Sequence, residues 1–289
     1  MSAGAAGFGV LGGGVLPRIR AALPALIPSD AKVARAILAD PGGVVHLSVG
    51  DVAAAAGTSA STVVRCCQRL GFRGFQHLKI ALAQDGASRA SARPDGSGDS
   101  PREVLGRVLL SGARVLQDSL STVGVREFEE AVGALRRARR VLFVGVGTSA
   151  PLAQDAAYRF LTAGVRAEAP ADVHTQHVAA RLLEPPDVCF AVSHTGATRE
   201  TVASVKAARE SGATTIALTS FSRSPITEFT RIVLVAGGPE VSFRLEAMTS
   251  RIAHLSVLDA LFVAVALQTR ERANIALDTT ADVLSEHRY

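Results

Sequence analysis

Val141-Leu142-Phe143-Val144-Gly145-Val146-Gly147-Thr148-Ser149 is the stretch on which the fold turns. Its apolar head lacks polar alternation and has the length of a strand buried on both faces. Its tail is a turn rich in glycine and hydroxyls, and a helical pattern over residues 150–163 follows at once. Reading outward, the short aliphatic run (141–146) is repeated at 188–192, 215–218 and 232–235, with 165–167 as a weaker fifth candidate. Helical patterns at 201–211 and 248–268 lie between or after these runs. Such alternation predicts an open, mainly parallel sheet with helices on both faces.

Upstream the pattern is helical. Residues 16–26 form a helical run interrupted at Pro24, and Ser29-Asp30 opens another at 31–39, closed by Asp40-Pro41-Gly42-Gly43. Ser48 can cap the next helix, with Asp51 in the acidic position of a capping box. That helix stops at Gly57. Another runs from Ser59 to Leu70, and a short one covers 75–83. Residues 87–101 mix Ser, Arg, Gly, Asp and Pro without an apolar period and read as a linker. Helices are expected again at 102–119 and 125–137. The organisation is therefore a loose Gly/Ala-rich segment at 1–15, an all-helical domain at 16–86, the linker, and an α/β domain with leading helices at 102–289.

Two domains suit a chain of 289 residues. With 48% hydrophobic and 20% charged residues it can bury two cores and is not a disordered composition. The net charge of +5 permits an anionic partner, but 31 basic against 26 acidic residues exclude a histone-like tail. Three cysteines, Cys66, Cys67 and Cys189, argue against a disulfide framework and a four-thiolate zinc site. No basic residue precedes Arg18, and Gly12-Gly13-Gly14 breaks the apolar start, so no signal peptide is read. The apolar stretch 257–267 contains Asp259 and is too short to span a bilayer. A cytoplasmic protein with no membrane partner is expected.

Residues 48–71 carry the first functional signal. Gly57-Thr58 breaks two helices, and Ser59 caps the second. Ala60, Val63, Cys67 and Leu70 share its inner face, while Ser61, Thr62, Arg65, Gln68 and Arg69 share the outer one. Arg73 and Lys79 follow, and no acidic residue occurs from Ser61 to Lys79. A small polar first turn can enter a major groove, with Arg and Gln reaching base edges or phosphates. A plain helical hairpin with solvated charges is the competing reading.

The strand ends carry the second signal. In an open parallel sheet, ligands bind beyond the carboxyl ends of the strands. Gly147-Thr148-Ser149 follows the first strand. Ser193-His194-Thr195-Gly196-Ala197-Thr198-Arg199-Glu200 follows the next clear one, and Thr219-Ser220, Ser222 and Ser224 follow a third. Hydroxyls and helix-start N–H groups can wrap a phosphate without a metal. The same hydroxyls also suit helix capping, and both roles can coexist. Neither a dinucleotide fingerprint nor a Lys-bearing phosphate loop is present. His174, His177 and His194 lack a third ligand fixed by spacing, so no metal and no cofactor is expected. Glu200 and Glu246 could touch sugar hydroxyls or be surface charges. The run Arg136, Arg137, Arg139 and Arg140 reads as a solvated edge or interface.

Asp51-Val52-Ala53, Ser61-Thr62-Val63-Val64-Arg65 and Leu70-Gly71-Phe72-Arg73-Gly74-Phe75 resemble the helix-turn-helix of RpiR-type transcriptional regulators. Residues 145–149 and 193–200, Asp172-Val173-His174, Ser224-Pro225, Ser250-Arg251-Ile252-Ala253 and Asp259-Ala260-Leu261 resemble the sugar isomerase (SIS) domain of that family, in the expected order. The likeness spans residues 16–281. It implies a helical reader of operator DNA joined to a three-layer α/β SIS domain that binds a phosphorylated sugar or amino sugar, governing carbohydrate metabolism genes. Ser149, Ser193, Thr195 and Thr198 match the family's phosphate-loop positions, within a set completed by Gly147, Thr148, Gly196 and Glu200. A serine is commoner where this chain has Thr195.

The resemblance also implies a homodimer or higher homo-oligomer. The apolar helix from Met248 onward, with its stripe Leu255, Leu258, Leu261 and Phe262, is the interface candidate, although some of these must also pack against the sheet. A sugar-phosphate isomerase is the alternative, and it needs an acid and a base beside the substrate, for which Glu200, Glu246 and His174 are conceivable. A protein-binding regulator without DNA affinity is a third reading. The regulator reading assigns no catalytic residue.

Overall fold

The computed structural model describes residues 14–45, 47–90, 100–237 and 248–287. Most of the Gly/Ala-rich start, His46, Glu246 and residues 91–99 of the expected linker lie outside the described residues.

The first domain is helical: α1 (Val15–Ala22), a 3₁₀ turn (Leu23–Ala25), α2 (Pro28–Ala39), α3 (Pro41–Val44), α4 (Val49–Ala55), α5 (Ala60–Arg69) and α6 (Phe75–Ala90). The Pro-Gly-Gly segment expected only to close α2 is itself the short helix α3, capped by the Asp40 side chain, which accepts from the Gly43 N–H. Asp51 proves long enough for a capping box: the Ser48 N–H donates to Asp51 Oδ2 at 2.8 Å and the Asp51 N–H to Ser48 Oγ at 3.2 Å. One core collects Ile19, Val33, Ile37, Val52, Val63, Cys66, Cys67 and Leu78. α6 continues to Ala90, into the stretch expected as linker.

The second domain begins with α7 (Pro101–Ser119) and α8 (Val125–Arg137). It continues through β1 (Val141–Val144), α9 (Ala150–Thr162), β2 (Ala167–Glu168), α10 (Val173–Arg181), β3 (Val188–Val192), α11 (Arg199–Glu210), β4 (Thr214–Thr219), β5 (Ile232–Val235), α12 (Ser250–Gln268) and α13 (Arg270–Ser285). All pairs are parallel, in the order β2-β1-β3-β4-β5. The weak fifth candidate is thus real, but it is a two-residue edge strand.

Side chains alternate across a strand, so each one feeds two cores. Val141, Phe143, Phe190 and Leu218 face α8, α9 and α12, and the Phe143 ring lies 5.5 Å from Phe160 and 5.2 Å from Phe190. Leu142, Val144, Cys189 and Ala217 face α10 and α11. Phe143, Phe160 and Phe190 thus gather in the first core, while the second is built mainly of Ala, Val and Leu.

α12 is 19 residues long and apolar enough, by length and composition alone, to cross a bilayer. It serves instead as a core helix against α7, α8 and α9. The packing against the sheet expected of part of its stripe takes up most of it. Leu258 and Leu261 are buried in the chain's own core, and Leu255 and Phe262 pack half-buried against it. One exposed apolar stripe runs along α7, where Leu105, Leu109 and Leu116, with Leu120 at its C-cap, lie within one narrow face.

All three thiols are buried. Burial pushes Cys66 and Cys189 up to about 12 and Cys67 to about 11. A thiolate, not a thiol, attacks a disulfide reagent, so none of the three should be labelled in folded protein at pH about 8. All three should react once the chain is unfolded; rapid labelling of any one in the native state would contradict this packing.

Candidate functional site

The crossover from β1 to β2 leaves on one side of β1, and the later strands build on the other. The order therefore reverses between β1 and β3, and the loops after these strands part at the carboxyl edge of the sheet, which is where such folds bind ligands. A pocket of about 250 Å³ opens there, lined by Val146, Gly147, Thr148, Ser149, His194, Thr195 and Thr198. Five of the eight expected effector-site residues line it. Ser193 and Gly196 are buried in the second loop, and Glu200 is exposed in the first turn of α11.

The hydroxyls divide into two groups. Ser193 Oγ accepts from the Gly196 N–H at 3.1 Å, and Thr195 Oγ1 accepts from the Ala197 N–H at 3.2 Å, so these two shape the loop. Ser149 and Thr198 occupy the N-caps of α9 and α11, yet neither side chain caps its helix. The capping alternative thus fails for the two positions where it mattered most. No Lys, Arg, Asp or Glu is among the lining residues, so the pocket offers neutral N–H and O–H donors at two helix starts.

Backbone contacts fix the loop geometry. A Cβ at Gly145 would stand 3.0 Å from the Ser149 carbonyl oxygen and 3.2 Å from that of Val192, so backbone on both sides would have to give way. Gly196 has φ +62°, and a Cβ there would collide with the Ser224 hydroxyl. Sequence reasoning passed over Gln176. It projects from α10 and is 3% exposed. Its Oε1 accepts from the Gly145 N–H at 3.3 Å, and its Nε2 donates to the Gly145 and Pro170 carbonyls at 3.1 and 2.8 Å. A side chain thereby pairs the backbone where β1 has run out of strand. His194 was noted only as a metal candidate. Its Nδ1 lies 2.8 Å from Ser220 Oγ, which lies 3.3 Å from Nε2 of buried His254. Among the described residues no cluster suits a metal ion.

The helix-turn-helix is α4, a turn at Gly57 (φ +58°), and α5. Ser59 Oγ accepts from the Thr62 N–H at 3.3 Å. Ser61, Arg65, Gln68 and Arg73 are exposed, and the Arg65 guanidinium donates to Thr62 Oγ1 at 3.3 Å. Three expected readers are placed otherwise. Thr62 is buried, drawn under the N-terminal turn by its 2.9 Å contact with Ser59 Oγ. Lys79 donates to the Leu47 carbonyl at 2.9 Å and lies over the Phe75 ring. Arg69 Nη1 is 2.6 Å from Oδ2 of Asp30, whose side chain is 0% exposed and whose Oδ1 has no partner among the described residues.

The residues 134–264 match the SIS domain family, and 13–89 match the helix-turn-helix domain of the rpiR family. An uncharacterised HTH-type transcriptional regulator of Caldanaerobacter subterraneus is 36% identical over 94% of this chain and 97% of its own length. The HTH-type transcriptional regulator HexR of Pseudomonas aeruginosa is 34% identical over 88% of this chain and 90% of its own. The structure of the Vibrio vulnificus NanR protein complexed with ManNAc-6P superposes with a TM-score of 0.62 at 26% identity, covering 95% of this chain and 99% of NanR.

Removing one partner of a fully buried ion pair costs about 3–5 kcal/mol. Here Asp30 is buried but the Arg69 side chain is about half exposed, so the loss is smaller than that. Arg69→Ala should still lower the denaturation midpoint clearly, whereas Arg65→Ala should leave it almost unchanged. Chemical denaturation of both variants checks this; equal, small effects would remove Arg69 from the domain's framework.

Proposed function

Because this chain belongs to the RpiR family of helix-turn-helix transcriptional regulators with a SIS domain, we propose that it reads operator DNA through α5 and senses a phosphorylated sugar or amino sugar at the β1–β3 switch point. It is a regulator and not an enzyme, as are the relatives that it matches along at least 90% of their length. The helical domain at 16–86 is the reader and the α/β domain at 102–289 the sensor, governing carbohydrate genes from the cytoplasm.

The observation that carries the effector reading is the pair of hydroxyls, Ser149 and Thr198, set at two helix starts on a neutral pocket without capping either helix. A phosphate dianion suits such donors, and charge-assisted hydrogen bonds are the strong ones. Gly147, Thr148, Thr195 and Gly196 complete the cradle, Ser193 holds its shape, and Glu200 stands outside the lining for the sugar end. The NanR complex with a sugar phosphate supports the same ligand class. Among the described residues no carboxylate lines the pocket, so of the isomerase candidates neither Glu200 nor His174 is placed in it.

On the DNA side, Ser61, Arg65 and Gln68 are the base-facing candidates and Arg73 a phosphate contact. Thr62, Arg69 and Lys79 support the reader through their contacts within the domain. Paired half-sites require at least a dimer. The α7 stripe of Leu105, Leu109, Leu116 and Leu120 is the apolar face open to a second copy.

Thr198→Ala should weaken a sugar phosphate such as N-acetylmannosamine 6-phosphate by about 1.5–3 kcal/mol, the usual worth of a hydrogen bond to a charged group. It should leave the weak binding of the neutral sugar unchanged. Calorimetric titration separates the two, and equal losses would overturn the phosphate assignment.

Arg65→Ala should flatten discrimination among operator variants by about 1–3 kcal/mol, as a lost bidentate base contact does. A duplex selected against the wild-type chain is the probe, and the titration should close at two chains per duplex. A uniform loss across all variants, with a smaller salt slope, would make Arg65 a phosphate contact instead.

A further inference from the structure

The loop after β4 touches both domains. On one side it is tied to the pocket. The Ser220 N–H donates to the His194 carbonyl at 3.0 Å, Thr219 Oγ1 donates to the same oxygen at 3.1 Å, and the Phe221 ring lies 5.8 Å from the His194 imidazole. His194 itself lines the pocket. On the other side, Ser222 donates twice to one acceptor, the carbonyl oxygen of Ala21: its N–H at 3.0 Å and its hydroxyl at 2.6 Å. Ala21 sits in the last turn of α1, 201 residues away in sequence, and is itself buried. α1 packs on α2 and α6, and its Leu16 and Ile19 belong to the core that holds α4 and α5.

We propose that residues 219–222 couple the effector pocket to the DNA reader, with Ser222 as the positioning residue that sets where α1 stands. This rests on the pocket taking a sugar phosphate. An occupant that shifts His194 shifts the backbone bonded to its carbonyl, and Ser222 lies only two residues further along. The two hydrogen bonds to the Ala21 carbonyl pass that displacement to a helix that shares its core with the recognition helix, so the reader is displaced with it. Ser222 is exposed and does not line the pocket, which separates a change in coupling from a change in ligand affinity. Coupling between binding sites is reciprocal, so operator DNA must alter sugar-phosphate affinity by the same factor.

Two measurements on the full chain test this, each with Ser222→Ala, which loses the hydroxyl bond, and Ser222→Thr, which keeps it. The first is amide hydrogen exchange without ligand. Local opening reports local stability, and α1 should exchange about threefold or more faster in S222A and at the wild-type rate in S222T. Identical exchange in all three proteins would overturn the contact. The second is the ratio of operator affinities with and without N-acetylmannosamine 6-phosphate or glucose 6-phosphate, whichever binds the wild type. That ratio should fall towards one in S222A, with sugar-phosphate affinity retained, and recover in S222T. An unchanged ratio in S222A would overturn the coupling role. Failure of the effector reading looks different: the wild type then binds no sugar phosphate, and hydrogen exchange alone decides whether Ser222 holds the reader.

Discussion

Parallel pairing of Val141–Val144 with Val188–Ala191 fixes where the sheet leaves a cleft. The chain leaves β1 towards one edge of the sheet and returns to lay β3 on the other side, so the two strand-end loops diverge. A pocket is the space that this divergence leaves. Gly145 lets the first loop turn within van der Waals reach of two carbonyls, and Gln176 supplies backbone-like partners once strand pairing has stopped. Sheet topology, one missing Cβ and one buried amide thus shape the first of the two loops that line the cleft.

How far the sequence disclosed this differs by element, for physical reasons. β1, β3 and β4 are legible because both of their faces are buried, leaving short aliphatic runs with no polar interruption. β2 is half-exposed at the sheet edge and scarcely declares itself. α10 and α13 give no helical signal, because few of their residues are buried: Gln176 and Ala180 in one, Ala273 in the other. The omission of α10 also concealed Gln176. α12 erred in the opposite sense. It is apolar on most sides, so periodicity could not tell which residues of the stripe face the sheet: Leu258 and Leu261 do so fully, Leu255 and Phe262 in part.

Local signals were also blind to charge brought in from afar. The stretch from Ser61 to Lys79 is free of acids in sequence, yet α2 lays Asp30 against Arg69 across 39 residues. The hydroxyls are the converse case. Ser149, Ser193, Thr195 and Thr198 look equivalent in the sequence, and only hydrogen-bond accounting separates the pair that shapes a loop from the pair at the helix starts.

The Asp30–Arg69 pair also limits how this reader can diversify. Asp30 is sealed from water and depends on a single guanidinium, so α5 cannot roll about its axis without abandoning a charge in the core. The reading face is thereby keyed to one angle. Position 69 lies on the same outer face as positions 61, 65 and 68, yet its guanidinium is committed to Asp30, so a change there disturbs the seating of α5 on α2 as well as the face itself.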